Sequence, residues 1–516
     1  MIRRLLLFFL LILGLAAGLT WMWQRRSASP ASESGLQVFC AAGLKVPVEA
    51  AAKAFEQEKG IPVHLQFGGT ATLLSQLQVA GRGDLFIAAD EGSLRDATDR
   101  QLTRERIPLA VQTPVIAVAK GNPKAIHGLA DLTREGIRFA CANPEAASIG
   151  KITRRALGDQ WPAFAARAAV MKPTVTEIAT DLRLGAVDAA IVWDSLIPQF
   201  QELEAVTDPA LTAEKETASI AVLSACQQPA TALAFARFLS APERGNPLFA
   251  EAGFHPVPGD SWAKVPQIVL FSGGVNRTAI EPLVKAFAER EGLDLTTVFN
   301  GCGILCASMK TMGGSSNPKF PDVYYACDVC FVPPVAEQFP EAVMLTETRI
   351  GIAVPKGNPK SIRTLADLGR PGLRIGLCNA EQSTIGYMTH AILRSMNLLD
   401  AVTANAAAQV PTADFLINQM RAGALDAAVV YEVNVMPQKP FFDFIPLPAD
   451  KARAIQPFAI RKDTAYRLIC QRLLDDLRAH SDAFEDSGFR WTGQGELVKS
   501  ADIQLPPWLQ PEASQR

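Results

Sequence analysis

The chain has 516 residues, and its 50 Lys and Arg residues are almost balanced by 52 Asp and Glu residues. No long basic run is present, which argues against nucleic acid as a partner. An apolar share of 48% in a varied sequence is typical of globular domains and excludes a largely disordered chain.

The N-terminal residues are typical of an exported protein. Two arginines precede an almost unbroken apolar run over residues 5–23, and two more follow it. The run matches the ~20 residues of a membrane-spanning helix and exceeds the ~7–15 residues of a signal-peptide core. Trp21 and Trp23 fit interfacial anchors. We expect residues 1–35 to form a retained inner-membrane anchor with its polar tether, and a cleaved signal peptide is the alternative.

The next segment alternates between strands and helices. LQVFCAA, IPVHLQFGG and GDLFIAAD are predicted strands, and VPVEAAAKAFEQEKG and ATLLSQLQVAG are predicted helices. In the first helix Val48, Ala51, Ala52 and Phe55 recur at helical spacing, and a glycine follows. This order predicts a mostly parallel α/β sheet with right-handed crossovers.

Small residues follow all three strands, at positions 41–43, 68–70 and 88–90. Ligands of such sheets bind at the carboxyl ends of the strands, where the next helix begins. Small residues let a ligand approach backbone N–H groups, and helix N-termini favour an anion. One glycine-containing end is explained by a tight turn alone, whereas three together favour a binding site.

The second half of the chain repeats the first. VAKGNPKAIHGLADL begins at Val118 and VPKGNPKSIRTLADL begins at Val354, and later segments pair Trp193 with Tyr431. The period far exceeds the ~20–50 residues of solenoid repeats, so a whole domain is duplicated. We predict a first domain over residues 36–258, a linker over 259–266, a second domain over 267–496 and a loose, Pro-rich tail over 497–516.

The ordered motifs resemble a known family. They are VFCAAGL, FGGTATLLSQL, GDLFIAAD, KGNP…LADL, ANPEAASIGK and GAVDAAIVW in the first copy, and LFSGGVN, FNGCGIL, NAEQSTIG and GALDAAVVYE in the second. The chain is similar to the type II periplasmic solute-binding proteins, and most closely to the molybdate/tungstate-binding proteins of ABC importers. The likeness extends from Leu36 to Trp491.

The resemblance implies two tandem α/β domains, each with two lobes of mixed, mostly parallel sheets flanked by helices. One lobe is built from the beginning and end of a copy and the other from its middle, and the ligand is clamped between them. With the N-terminal hydrophobic helix, this is the predicted fold.

The resemblance also implies binding positions in the first copy. They are Ala42, Gly43, Thr70, Ile149, Val175 and Trp193. The family holds a tetrahedral dianion with hydroxyl and backbone N–H donors and without a cationic side chain. Gly43 stands where the family has Ser and Trp193 where it has Tyr, so two hydroxyl donors are lost. Trp193 keeps an indole N–H, and an aromatic packed at a strand end is the alternative interpretation.

The corresponding positions in the second copy carry different side chains. They are Gly274, Val275, Asn276, Arg277, Cys302, Ile385, Ala413 and Tyr431. Arg277 offers a bidentate grip on an oxyanion, or it is a solvated surface residue. Asp194 and Glu432 follow the aromatic residue of each copy, and a carboxylate repels a dianion. Either these side chains point away, or the ligand is not a simple dianion.

Four of the nine cysteines crowd one region of the second copy. They are Cys302, Cys306, Cys327 and Cys330. In an oxidising compartment a disulfide is expected, either Cys302–Cys327 or Cys306–Cys330. A thiolate site for zinc or copper(I) and a redox motif are the alternatives. The other five cysteines are isolated, and we expect them to be buried apolar residues.

The sequence offers no nucleophile motif, no paired His ligands and no phosphate-binding loop, so we predict a binding protein that is not an enzyme and has no cofactor. We expect the extracytoplasmic component of an ABC importer, which binds molybdate or tungstate and delivers it to a permease and its ATPase. The alternatives are a metal ion or another anion bound with help from the second-copy cysteines, and a membrane-tethered ligand or redox sensor.

Overall fold

The computed structural model describes residues 35–314, 316–448, 452–493, 495 and 497–503. The anchor predicted over residues 5–23 lies outside these described residues and stays a prediction. Within the described ranges, no helix combines the length and apolar character that crossing a membrane requires. The chain divides between Gly259 and Asp260 into two compact units, called the first and second unit below.

The first unit contains strands and helices in alternation. Its strands are β1 (Leu36–Ala41), β2 (Val63–Gly68), β3 (Leu85–Ala88), β4 (Thr103–Gln112), β5 (Pro114–Ala119), β6 (Phe139–Ala142), β7 (Val170–Lys172), β8 (Ala189–Trp193), β9 (Leu203–Val206), β10 (Glu216–Leu223) and β11 (His255–Pro256). Its α-helices are Lys45–Lys59, Thr70–Ala80, Glu91–Asp99, Leu129–Leu132, Ser148–Leu157, Trp161–Arg167, Val175–Arg183, Pro209–Thr212, Pro229–Ser240 and Gly245–Glu251.

These strands form two sheets, one in each lobe. The first lobe has the strand order β11-β4-β10-β3-β1-β2, and the second has the order β7-β6-β8-β5-β9. The first lobe therefore combines the beginning and end of the copy, and the second lobe contains its middle, as predicted. The chain crosses between the lobes where β4 ends at Gln112 and β5 begins at Pro114.

The second unit repeats this arrangement. Its strands are β12 (Gln267–Gly273), β13 (Asp294–Asn300), β14 (Val323–Tyr325), β15 (Glu341–Pro355), β16 (Ile375–Cys378), β17 (Ala406–Val410), β18 (Ala427–Tyr431), β19 (Phe442–Pro446), β20 (Arg453–Ile460), β21 (Arg490–Trp491) and β22 (Leu497–Lys499). Its α-helices are Arg277–Glu291, Cys302–Thr311, Thr384–Ser395, Leu399–Thr403, Ala413–Arg421, Glu432–Val435, Arg467–Ala479 and Ser481–Asp486.

One uninterrupted strand joins the lobes of the second unit. β15 pairs with β20 in the first lobe and with β18 and β19 in the second, so both lobes share a single sheet. In the first unit the same path is split into β4 and β5. Leu497–Lys499, assigned to a loose tail from the sequence, pairs with β15.

The sheets are mixed, and the predicted predominance of parallel pairing is wrong. In the first lobe of the first unit, β1 pairs in parallel with β2 and β3, but β10 pairs antiparallel with β3 and β4. The crossover helices explain the parallel pairs. The antiparallel pairs arise because the chain crosses to the second lobe and later returns beside the strand on which it left.

The repeated KGNP segment is a structural loop. Asn122 and Asn358 both have a positive φ, and each side chain bonds both ways to the backbone of the residue four positions later. Asn tolerates this left-handed conformation better than most residues do. The most obvious repeat of the sequence thus reports fold duplication and not a binding site.

The cores follow the predicted patterns. The helix Lys45–Lys59 buries Val48, Ala51, Ala52 and Phe55 and ends at Gly60, whose φ of 69° suits glycine. Among the five isolated cysteines, Cys226 is half-buried and the others are buried. In the segment predicted as a linker, the buried Asp260 accepts hydrogen bonds from the first two N–H groups after Arg467.

Candidate functional site

The first unit has a cleft between its lobes, called the first cleft below, with a cavity volume of about 20 Å³. Among the described residues it is lined by Ala41, Ala42, Gly43, Gly68, Gly69, Thr70, Ala89, Ala147, Ser148, Ile149, Thr174, Val175 and Trp193. All six binding positions predicted for the first copy are in this set. Pockets for drug-sized ligands reach ~300–1,000 Å³, so this cleft suits a small ligand.

Three helices begin at the first cleft, with Thr70, Ser148 and Val175 as their first residues. The first comes from one lobe and the other two come from the opposite lobe. The N-cap residues Gly69 and Ala147 supply no side-chain acceptor, so the first-turn N–H groups are left to other partners. The positive ends of three helix dipoles thus meet in a cleft that favours an anion.

Hydroxyl groups connect the two lobes at this point. Ser148 Oγ lies 2.8 Å from Thr70 Oγ1 and also donates to the carboxylate of the buried Asp90. A hydroxyl has one proton, so while Ser148 donates to Asp90, the hydroxyl of Thr70 is the donor in their contact. The Thr70 proton therefore has two alternative acceptors, Ser148 Oγ and an oxygen of a ligand.

Trp193 and Gly43 close the floor of the first cleft. Trp193 is 1% exposed, and a Cβ on Gly43 would lie 3.2 Å from Val175 Cγ1 and 3.7 Å from Trp193 Cδ1. The family's Ser at position 43 would therefore crowd Val175. The tryptophan both packs in the core and lines the cleft, so its two interpretations are compatible.

The second unit has a corresponding cleft, called the second cleft, with a cavity volume of about 10 Å³. Among the described residues it is lined by Gly274, Val275, Gly301, Cys327, Ser383, Ile385, Pro411, Thr412, Ala413, Asp414, Tyr431 and Asn434. Five predicted positions are in this set. The helices Cys302–Thr311, Thr384–Ser395 and Ala413–Arg421 begin beside it.

Three predicted residues of the second copy do not line the second cleft. Asn276 is buried and donates to Tyr325 O at 3.2 Å, so its side chain holds the backbone. The guanidinium of Arg277 lies over the Phe299 ring, 4.8 Å from its centroid. Cys302 is fully buried behind the cleft wall. Side-chain direction, which sequence alignment does not give, separates these three from the lining residues.

Cys302 and Cys327 form a close pair. Their sulfur atoms lie 2.7 Å apart, and Cys327 N donates to Cys302 Sγ at 3.0 Å. Burial on its own raises the pKa of the Cys302 thiol, but hydrogen bonds from Cys327 and from the Tyr324 hydroxyl hold this pKa below its usual value. Burial raises the pKa of the Cys327 thiol.

The other two clustered cysteines are half-buried and make different contacts. Cys306 Sγ lies 3.6 Å from Tyr324 Oη and from Phe331 O, and Cys330 N donates to Asp328 Oδ1. Of the two predicted pairings, the structure brings Cys302 and Cys327 together. Within the described residues, no group of three or more His, Cys, Asp or Glu side chains is arranged to hold a metal ion.

Tyr431 offers an unused donor to the second cleft. Its side chain is 3% exposed, and its hydroxyl has no hydrogen-bond partner among the described residues. Burial raises the pKa of the phenol well above its usual value, so the hydroxyl keeps its proton. An unpaired buried hydroxyl costs about 1–3 kcal/mol, which an acceptor on a ligand would recover.

Four polar residues of the second cleft were missed from the sequence, namely Ser383, Thr412, Asp414 and Asn434. Asp414 is the second residue of the helix Ala413–Arg421, and its Oδ1 accepts a hydrogen bond from Asn434 Nδ2 at 2.9 Å. Burial raises the pKa of the Asp414 carboxyl, although Arg277 and Asn434 act in the opposite direction. A signal existed, because Asp414 directly follows the predicted Ala413 and Asn434 lies three residues after Tyr431.

The carboxylates that follow the aromatic residues point away from the clefts. Asp194 accepts from Thr113 N at 2.9 Å, at the crossing between β4 and β5. Glu432 forms a bidentate ion pair with Arg349 in the middle of β15. Both carboxylates hold the segment that joins the lobes. They therefore place no restriction on the charge of a ligand in the clefts.

Two-lobed α/β domains whose helix N-termini converge on an interlobe cleft define the class of extracytoplasmic solute-binding proteins. The sequence profile of the bacterial extracellular solute-binding proteins matches residues 36–255 and again residues 268–490. The chain belongs to this family and contains its domain twice. The family comprises binding proteins and not enzymes, which confirms the prediction from the sequence that the chain is a binding protein and not an enzyme.

Individual relatives are similar to roughly half of the chain. A putative binding protein of Haemophilus influenzae is 27% identical over 224 residues, covering 43% of this chain and 91% of the relative. A molybdate-binding protein of Mycobacterium bovis is 28% identical over 235 residues, covering 44% and 88%. The solved periplasmic molybdate-binding protein of Azotobacter vinelandii is 22% identical with a TM-score of 0.37, covering 42% of this chain and 98% of that chain.

Proposed function

We propose that the first cleft binds a small, fully deprotonated tetrahedral oxyanion, with molybdate or tungstate as the first candidates. The protein then delivers this ligand to an ABC permease and its ATPase. The 28% identity to a molybdate-binding protein of Mycobacterium bovis supports the choice of ligand. Location outside the cytoplasm accords with the family, and anchoring by residues 5–23 is part of the proposal.

The absence of charge in the first cleft carries this proposal. Its lining among the described residues is made of Ala, Gly, Ile, Val, Ser, Thr and Trp. Donors are supplied by hydroxyls, the indole and backbone N–H groups at helix N-termini, which together suit an ion that only accepts hydrogen bonds. A protonated anion would place its own donor against other donors and bind more weakly.

Closure of the lobes is the expected mechanism. Thr70 comes from the first lobe, whereas Ser148 and Val175 come from the second, so only a closed cleft surrounds an ion on all sides. Contacts across the cleft, such as Ala71 N to Ala146 O at 3.1 Å, hold this closed arrangement. Opening at the crossing between β4 and β5 would release the ligand without any bond being made or broken.

Isothermal titration calorimetry on the exported part of the chain tests the proposal, with molybdate, tungstate, sulfate and phosphate as ligands. Thr70→Val removes one hydrogen bond to a charged ligand, which is worth about 1.5–3 kcal/mol, or roughly 10–150-fold in Kd. Thr133→Val is the matched control, because Thr133 is exposed and its hydroxyl contacts only its own turn. Absence of molybdate and tungstate binding, or equal affinity in Thr70→Val, would overturn the proposal.

The pair of Cys302 and Cys327 favours a second candidate function, that of a thiol–disulfide sensor. Their sulfur separation of 2.7 Å and the lowered pKa of Cys302 suit thiol exchange. A sensor would lose both thiols on treatment with hydrogen peroxide, as they join in a disulfide and water is released, and its binding to a partner protein would change with that loss. Titration of all nine thiols after the oxidant-treated protein is unfolded in denaturant would exclude this function.

A further inference from the structure

The second cleft differs from the first by carrying a carboxylate. Asp414 lines it as the second residue of the helix Ala413–Arg421. The second residue of the matching helix, Val175–Arg183, is the uncharged Thr176, whose side chain contacts Thr174. Both clefts are small, with cavity volumes of about 10 Å³ in the second unit and about 20 Å³ in the first, and the carboxylate is the chemical difference between them.

The Asp414 side chain is held in place by the cleft itself. Asn434 donates from Nδ2 to Asp414 Oδ1 at 2.9 Å, and Asn434 Oδ1 accepts from Tyr431 N at 3.2 Å. Both ends of the Asn434 amide are therefore engaged. A carboxylate has about four acceptor positions, so Asp414 retains capacity for a ligand donor.

Tyr431 supplies the complementary group. Its hydroxyl is buried, unpartnered among the described residues and part of the lining of the same cleft. A ligand that satisfies both side chains accepts a hydrogen bond from Tyr431 and donates one to Asp414. Helix N-termini at Cys302, Thr384 and Ala413 still favour an anion.

We propose that the second cleft binds a tetrahedral oxyanion that retains a proton, of the hydrogen phosphate or hydrogen arsenate class, and that Asp414 accepts the hydrogen bond from this proton. The proposal rests on the proposed function in that both clefts bind oxyanions. Molybdate, tungstate and sulfate carry no proton near neutral pH, so the Asp414 carboxylate repels them. A ligand O–H instead forms a charge-assisted hydrogen bond with it.

Arg277 does not replace this interaction. Its charge acts on Asp414, but its guanidinium lies over the Phe299 ring and outside the lining of the second cleft. It therefore moderates the charge of Asp414 without supplying a donor to the bound ion. The protein would thus carry one cleft for fully deprotonated oxyanions and one for protonated oxyanions.

Equilibrium dialysis tests the inference. The protein containing both units is dialysed against radiolabelled phosphate and, in a separate experiment, against molybdate. We expect one phosphate and one molybdate per chain in the wild type. Asp414→Asn should weaken phosphate binding at least tenfold and raise molybdate stoichiometry towards two. Asp414→Thr, which installs the residue of the first unit, should do the same, and circular dichroism checks that both variants fold.

Asp400→Asn is the matched control, because Asp400 is an exposed second residue of another helix, Leu399–Thr403. It should leave both affinities unchanged. Wild-type phosphate affinity in both Asp414 variants, or two molybdates bound per wild-type chain, would overturn the inference. Loss of molybdate binding with intact, Asp414-dependent phosphate binding would refute the proposed function alone.

Discussion

Gly69 lies where the two lobes of the first unit meet, which makes it a sensitive test of closure. A Cβ at this position would lie 2.3 Å from Ala146 O and 2.5 Å from Pro173 O, both on the opposite lobe. Its φ of −67° is open to any residue, so Gly69→Ala adds a steric contact without backbone strain. The substitution therefore acts on the lobes and leaves every donor of the cleft in place.

The size of the effect follows from the contact distances. Ordinary contact begins at 3.4 Å, so the alanine moves the opposing carbonyl by about 1.1 Å, from 3.4 − 2.3. A cross-cleft hydrogen bond of about 2.9 Å would stretch to about 4 Å and cease to be one. Two lost bonds to a charged ligand cost about 3–6 kcal/mol, or roughly 10²- to 10⁴-fold in Kd.

Calorimetry with molybdate, supported by small-angle X-ray scattering, measures this effect. We expect Gly69→Ala to weaken molybdate binding by at least 100-fold and to leave the first unit more open. Gly301→Ala is the matched control in the second unit, where the Cβ would lie 2.2 Å from Gln382 O. It should leave molybdate binding unchanged. Wild-type affinity in Gly69→Ala would refute closure at this contact as the basis of binding.

Three further outcomes are expected in the second unit. Burial raises the pKa of the Asp328 carboxyl to about 6, against about 3.9 when unfolded, so its contribution to stability falls by about 2 kcal/mol as pH rises from 4 to 6. Asp328→Asn should remove this slope from Tm against pH, and an unchanged slope would contradict it. Arg472→Met removes the guanidinium that forms two hydrogen bonds with the buried Glu291. The free energy of unfolding, measured in urea, should fall by about 3–5 kcal/mol, whereas a fall of less than about 1 kcal/mol would show that the pair is dispensable. Hydrogen peroxide, an oxidant small enough to reach buried thiols, should join Cys302 to Cys327 with release of water, which peptide mass spectrometry detects as the loss of two hydrogens. Sulfinic acid on either cysteine would argue against the pairing.

The architecture was predictable because it depends on sequence patterns that extend over many residues. Alternating strands and helices, small residues at strand ends and a second copy of the same motifs all extend over many residues. The balance of parallel and antiparallel pairs was not predictable from them. This balance depends on where the chain crosses between the lobes. The crossing segment is the uninterrupted β15 in the second unit and the split β4 and β5 in the first, although the two copies have similar sequence motifs.

The positions that line the first cleft were predictable where the course of the backbone places them there. Gly43, Ile149 and Val175 line the first cleft because their place in the fold puts them there, whatever their side chains are. Positions that act through side chains were less predictable. Asn276 turns inward to hold the backbone, whereas Asp414 lines the second cleft with its carboxylate held by Asn434, and neither arrangement is visible in the order of residues.

This difference also explains how a duplicated domain can acquire a second specificity. The helix N-termini that favour an anion survive substitution, since Thr70 and Cys302 each begin a helix beside their cleft. The side chains around those helices are then free to change what kind of anion is accepted. In the first unit the cross-lobe contact of Thr70 with Ser148 leads to a carboxylate, Asp90, that stays behind the cleft. In the second unit Asp414 itself lines the cleft, so under the proposed specificities the two copies would keep one mechanism of attraction and differ in the proton they require.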